Sequence, residues 1–332
     1  MENKQLPNKG IIMNNERVKK VFSVIGLSLF VMSATFVALQ FGGAKLINVE
    51  SAPEVVQWAV RFLPLYVICM PLGMLAMKKV PVDEGKKAKL GAKNFFLFLL
   101  MCFPLMYGGN IIGTILSLLL SGGTATNALT SLMEGSLWLR LLVVVIIAPI
   151  MEELFFRKFL IDRTVRYGEK TAILFSSVSF ALFHMNLYQF FYAFGLGMLF
   201  GYVYTRTRQL KYSAIMHMVV NFLGMIAAPL ILEKSGLLAL SANVAAMDDA
   251  ALIQALPGLG LYFAYVLLLI GLSIAGLIVL IKKVPKFVFV RREEEIPKGQ
   301  VFTTVYLNMG VILFVLFCVA MCVVNLFNGR IS

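Results

Sequence analysis

Runs of about 20 apolar residues recur along the whole length of this chain. A run of that length crosses the hydrocarbon of a bilayer as one helix. In lipid the backbone must satisfy its own hydrogen bonds, which a helix does within a single segment. The expected fold is therefore all-α, a polytopic helical membrane protein. Nine candidate spans are read: Val21–Phe41, Val55–Met77, Phe95–Leu120, Leu137–Leu160, Thr171–Asn186, Phe190–Thr205, Tyr212–Leu232, Gly258–Ile281 and Phe302–Phe327. The fifth and sixth are short and are joined by Leu187-Tyr188-Gln189, which predicts a tight helical hairpin. Composition agrees, with 60% hydrophobic residues and a mean hydropathy of +0.86, values outside the range of soluble domains. No stretch is polar enough for a separate soluble domain of about 100 residues. Residues 1–332 are read as a single integral membrane domain. Its core covers about 137–232, with flanking helices in 21–120 and 258–327. The first run exceeds a signal-peptide core and lacks a clear small-residue cleavage pattern, so it is expected to be retained.

The formal net charge of +13 is distributed as a topology signal. Lysine and arginine gather at Arg17, Lys19 and Lys20, then at 78–93, 158–170, 206–211 and 282–298. The intervening connections are nearly free of them: 122–136 has none, and 233–256 has only Lys234. Basic residues stay on the cytoplasmic side, so the N-terminus is expected inside and, after nine crossings, the C-terminus outside, as in a multi-pass cell-membrane protein. The basic loops also suit anionic membrane lipid. They lack the interleaved aromatics of a nucleic-acid surface, so no nucleic-acid partner is expected. The 78–94 loop and the 291–300 stretch, with Glu293-Glu294-Glu295, read as solvated linkers, and Asp248-Asp249 as a solvated pair. Cys69, Cys102, Cys318 and Cys322 show neither zinc spacing nor a secreted-disulfide pattern. Gly197 and Gly201 form a small-xxx-small pair for helix packing.

Against this apolar background the ionisable residues stand out. The chain has two histidines, His184 and His217, and both lie inside candidate spans. The only carboxylates inside any span are Glu152 and Glu153, followed by Arg157. Ionisable groups in a bilayer cost several kcal/mol unless they pair or line a polar cavity, and so mark function. Glu153 and Arg157, four residues apart, share a helix face and are expected to form an ion pair. Glu152 points about 100° away. Pro149 removes a backbone hydrogen bond just before the pair and predicts a kink. His217 and Asn221 stack on one face of the seventh span. Arg61 and Arg140 lie near outer helix ends, where their stems can snorkel.

Glu-Glu-x-x-x-Arg, then Phe-x-x-x-His, then His-x-x-x-Asn, on three hydrophobic elements in this order, resembles the CAAX-protease and bacteriocin-processing family of intramembrane endopeptidases, also called the Abi family. The resemblance covers about Leu137 to Leu232 and implies a four-helix catalytic core. It implies that Glu152 is a general base and that His184 helps hold and polarise the water. His217 and Asn221 would stabilise the oxyanion, and Glu153 and Arg157 would orient the catalytic elements. The reading favoured is a glutamate-dependent site without a cofactor. The alternative is zinc held by His184, His217 and Glu152, since two histidines and a carboxylate form a known zinc set.

The expected substrate is a hydrophobic, membrane-embedded or lipidated peptide entering between helices. Two other readings stand beside the peptidase. One is a transporter whose buried Glu and His relay protons. The paired broken helices expected of one are not seen. The other is a catalytically silent scaffold that grips a protein partner in the membrane, against which the intact motif set weighs.

Overall fold

A computed structural model describes residues 15–46, 49–127, 129–133, 135–237 and 249–327. Asp248 lies outside them. The fold is all-α, and no strand occurs among the described residues. In chain order the main helices are α1 (Asn15–Leu46), α2 (Glu54–Ala76), α3 (Ala92–Ser121), α4 (137–164), α5 (Glu169–Phe183), α6 (Leu187–Thr207), α7 (Leu210–Lys234), α8 (Asp249–Lys283) and α9 (Met309–Phe327). Six of them are long and apolar enough to cross a membrane: α1, α2, α3, α7, α8 and α9. This is a multi-pass membrane protein. The other three are α4, α5 and α6, and the polar motifs lie on α4, α5 and α7. Arg140, Glu152, Glu153, Arg157 and Lys158 lower the hydropathy of α4, and α5 has only 15 residues.

The helices pack as a bundle around α4 to α6. α6 lies along both α3 and α5, α8 rests on the far side of α3, and α1 runs along α9. Three of these contacts require glycine. That of α3 with α6 does so at Gly109, whose Cβ would sit 2.4 Å from the Tyr192 amide nitrogen. A Cβ on Gly310 would sit 1.8 Å from the carbonyl oxygen of Ser23 in α1, and one on Gly276 would sit 2.1 Å from that of Leu100 in α3. Backbones this close gain van der Waals contact that larger side chains would prevent. The small-xxx-small pair of α6 has the role expected of it: Gly197 faces Ser177, and Gly201 faces Ile173, both on α5.

Three expectations are corrected. The hairpin corner between α5 and α6 is not Leu187-Tyr188-Gln189, which form the first turn of α6. It lies at 184–186, where Met185 adopts φ 48° and the Asn186 side chain accepts a hydrogen bond from the Tyr188 amide. An asparagine cap outcompetes the apolar continuity that suggested a later turn. Arg140 does not snorkel. It is buried and donates to the Met225 carbonyl at 3.0 Å, at a π-helical turn of α7 (Leu223–Ala227), which supplies an acceptor inside the protein.

The linkers at 78–94 and 291–300, finally, are largely exposed but are more than solvated linkers, since a few of their residues dock onto the bundle. Asp83 donates its amide to the Asp162 carbonyl, and Ala88 donates to that of Thr207. Arg208 Nη1 lies 2.7 Å from buried Asp162. Arg206 and Arg292 both pair with buried Glu169, and Arg166 pairs with Glu294. Buried acids need compensating cations and donors, and these segments deliver them.

Candidate active site

Pro149 has no N–H to give the Val145 carbonyl. α4 takes this up by widening into π-helical turns, Arg140–Ile147 before it and Leu154–Ile161 after it, around a regular segment Ala148–Glu153. Such widened turns recur at functional sites. The regular segment carries both glutamates.

The two carboxylates have unlike surroundings. Glu153 is fully buried. Its Oε2 lies 3.2 Å from Arg157 Nε, and its Oε1 lies 3.3 Å from His217 Nδ1. Arg157, itself fully buried, donates from Nη1 to Ser176 Oγ at 3.0 Å and sits over the Phe180 ring, 4.7 Å from its centroid. Ser176 passes its own hydrogen to the Phe156 carbonyl at 2.6 Å. Glu152 keeps 13% of its side-chain surface, and its Oε2 lies 3.7 Å from His217 Nε2. The His217 ring is thus bracketed by the two glutamates, one at each nitrogen.

His184 ends α5. Its Nδ1 lies 2.7 Å from the Phe180 carbonyl. A carbonyl oxygen only accepts, so Nδ1 carries the proton there, and in the neutral ring Nε2 is left as an acceptor. The Phe180 ring joins the two histidines, edge-on to His184 at 4.8 Å and to His217 at 5.9 Å. Asn221 lies one turn beyond His217, with its amide Nδ2 donating to the Val144 carbonyl of α4 at 2.9 Å. The structure therefore gathers Glu152, Glu153, Arg157 and His217 in direct contact, with His184 across Phe180. Asn221 ties α7 to α4 through one of its two amide hydrogens.

Several contributors were not singled out from sequence. Ser176, Phe180 and His184 form a stripe at four-residue spacing on α5, and Ser213, His217 and Asn221 form another on α7. Ser213 is within hydrogen-bond reach of Glu153. Extending each motif back by one helical turn would have found both serines. On α6, Gln189 Nε2 donates to the Tyr192 hydroxyl at 2.9 Å.

A zinc ion would need His184, His217 and Glu152 at about 2.0–2.2 Å from one point. Among the described residues no three side chains of His, Cys, Asp or Glu are gathered that way. His184 Nδ1 bonds the Phe180 carbonyl, which leaves its Nε2 free, and the His217 nitrogens face Glu153 and Glu152.

Comparison with known proteins gives one family. Residues 134–223 match the family of Rce1-like, type II CAAX prenyl endopeptidases. Neither a curated protein nor a solved structure matches the chain significantly. The matched segment runs from just before α4 to the middle of α7. It contains Glu152, Glu153, Arg157, His184, His217 and Asn221, and over these residues, the core of the bundle, the chain is similar to the Rce1-like CAAX prenyl endopeptidases.

Proposed function

We propose that this protein is an intramembrane endopeptidase that cleaves a membrane-associated, prenylated or otherwise hydrophobic peptide, with Glu152 activating the attacking water. The observation that carries the reading is the inequality of the two adjacent glutamates. Glu153 is locked between Arg157 and His217. Among the described residues Glu152 has no ion-pair contact but His217 at 3.7 Å, feels Arg157 only at longer range, and retains an open face. An adjacent pair serves acid–base chemistry when one member is held and the other is free to exchange a proton.

In the proposed reaction the Glu152 carboxylate takes a proton from water, and the resulting hydroxide attacks the scissile carbonyl carbon. The Nε2 of His184, left as an acceptor by the Phe180 contact, helps hold that water. His217 and the second amide hydrogen of Asn221 stabilise the oxyanion. The oxyanion then collapses and expels the amine, which takes the proton from Glu152. The products are a carboxylate and an amine, and Glu152 is regenerated. Glu153 and Arg157 fix the π-widened helix on which Glu152 sits. The basic loops place their end of the bundle at the cytoplasmic face in this reading, where a lipidated C-terminus would arrive.

The test is Glu152→Gln in purified protein, with a farnesylated C-terminal peptide as substrate. The amide keeps the shape and loses the base, so cleavage should fall about 10²–10⁴-fold with folding intact. Cleavage by the variant at near wild-type rate would overturn the role given to Glu152.

A further inference from the structure

α9 lies outside the family-matched segment, yet it reaches the turn that follows His184. Asn325 is the one carboxamide in its apolar sequence, and its Nδ2 donates to the Met185 carbonyl at 2.9 Å, 140 residues away in sequence. Met185 is an unusual residue to receive that bond. It follows the last helical residues of α5 in the left-handed region, φ 48°, a place usually filled by glycine. A side chain there carries a steric cost that the surroundings must offset. Its amide is satisfied by the Leu182 carbonyl and its side chain is buried. Its carbonyl has left the helix and takes the Asn325 donor in a part-buried bond at the surface of the bundle, where Asn325 itself is exposed.

We infer that Asn325 is a positioning residue for His184, holding the left-handed Met185 turn so that the imidazole keeps its place at the end of α5. His184 is fixed on one side by its Nδ1–H to the Phe180 carbonyl. On the other side its backbone runs straight into Met185, and then into Asn186, which caps α6. Without Asn325 the Met185 carbonyl has no other bond to hold it, and the turn is free to relax toward φ below zero, carrying the ring with it. α9 is suited to hold it, since Gly310 seats on the Ser23 carbonyl and Gly26 on the Val311 amide, fixing α9 rigidly along α1. The flanking pair α1–α9 is then part of the catalytic apparatus. This inference rests on the proposed peptidase function only for its kinetic readout.

The chain has only two histidines, so histidine-selective ¹⁵N labelling of the full-length protein in nanodiscs gives two ring systems, assigned with His184→Gln and His217→Gln. Asn325→Leu keeps the volume and removes the donor. It should shift the His184 ring nitrogens and mix their tautomers while leaving His217 and the unfolding midpoint in place. On the farnesylated peptide, kcat should fall about 3- to 30-fold, the rate equivalent of one interhelical amide hydrogen bond, with KM unchanged. Asn325→Gln, which keeps the donor, should restore part of both effects. An unmoved His184 signal with unchanged kcat overturns the inference. So does a joint shift of both histidines with a lowered midpoint, which would mean general loosening. A shift of His184 alone, in a protein whose wild type cleaves no peptide, upholds the positioning role and defeats the proposed function instead.

Discussion

Glu153→Gln separates the structural carboxylate from its neighbour. The substitution keeps the side-chain shape and removes one charge. Arg157 stays behind with no surface exposure. Its remaining partners are the neutral Ser176 hydroxyl, the Phe180 face and the more distant charge of Glu152. At the observed 3.2 Å the lost attraction is about 5 kcal/mol with an effective dielectric of about 20. Breaking a buried pair from one side costs about 3–5 kcal/mol in practice, because the stranded ion has no water to return to. That is a large share of a typical stability of about 5–15 kcal/mol, so expression should fall as well. The assay is denaturant unfolding in mild detergent, with Glu152→Gln alongside, which should unfold near the wild-type midpoint. Arg157→Met added to Glu153→Gln removes the stranded charge and should recover much of the loss, giving a strongly favourable coupling in the double-mutant cycle. A Glu153→Gln protein as stable as wild type, or a double variant no better than the single one, would refute the buried-pair reasoning.

Other predictions follow from the packing and the chemistry. Gly310→Ala drives a methyl group into the Ser23 carbonyl and should cost about 1–3 kcal/mol by overpacking, whereas Gly108→Ala, with no heavy atom within 4 Å of the new Cβ, should be tolerated in the same unfolding assay. Cleavage should survive strong chelators. Stoichiometric zinc by elemental analysis, with activity lost on its removal and regained on its return, would make His184, His217 and Glu152 ligands instead. Reporter fusions after Lys86 and Asp248 should report opposite sides of the membrane, and agreement between them would break the assigned orientation.

The all-α membrane fold and the Glu153–Arg157 pair were legible because both follow from local rules. Apolar length sets the helices, and four-residue spacing sets the pair, observed at 3.2 Å. That His217 lies beside Glu153 was not read from the sequence, since nothing in the spacing says which helices meet. What escaped depended on tertiary partners. Arg140 looked free to snorkel because the sequence does not show the Met225 carbonyl waiting for it. The basic loops looked solvated because their lysines hide the few residues, Asp83, Arg292 and Glu294, that dock onto the bundle. The resemblance implied that Asn221 faces the reaction beside His217 on one helix face. That face also meets α4, and the Val144 carbonyl, within a π-helical segment, takes one of its hydrogens.

The placement of the charged residues explains why a peptidase core of this kind sits inside a larger bundle. α5 is only 15 residues long, and it carries a polar group at each end. At its first residue, Glu169 is held by Arg206 of α6 and by Arg292 and the Val290 amide of the segment after α8. At its other end the turn after His184 is held by Asn325 of α9. α4 is secured in the same way beyond its catalytic segment. The Tyr204 hydroxyl and Arg208 of α6 both reach Asp162, and Arg208 also donates to the Asp83 carbonyl. A short helix with two anchored ends has little freedom to slide or rotate, and a displacement of about 1 Å at a reacting group can cost 10²-fold in rate. Three of these four anchoring segments, those with Asp83, Arg292 and Asn325, lie outside residues 134–223. In the proposed reaction the matched segment supplies the reacting groups, and the flanking parts of the chain supply much of the rigidity that those groups would need.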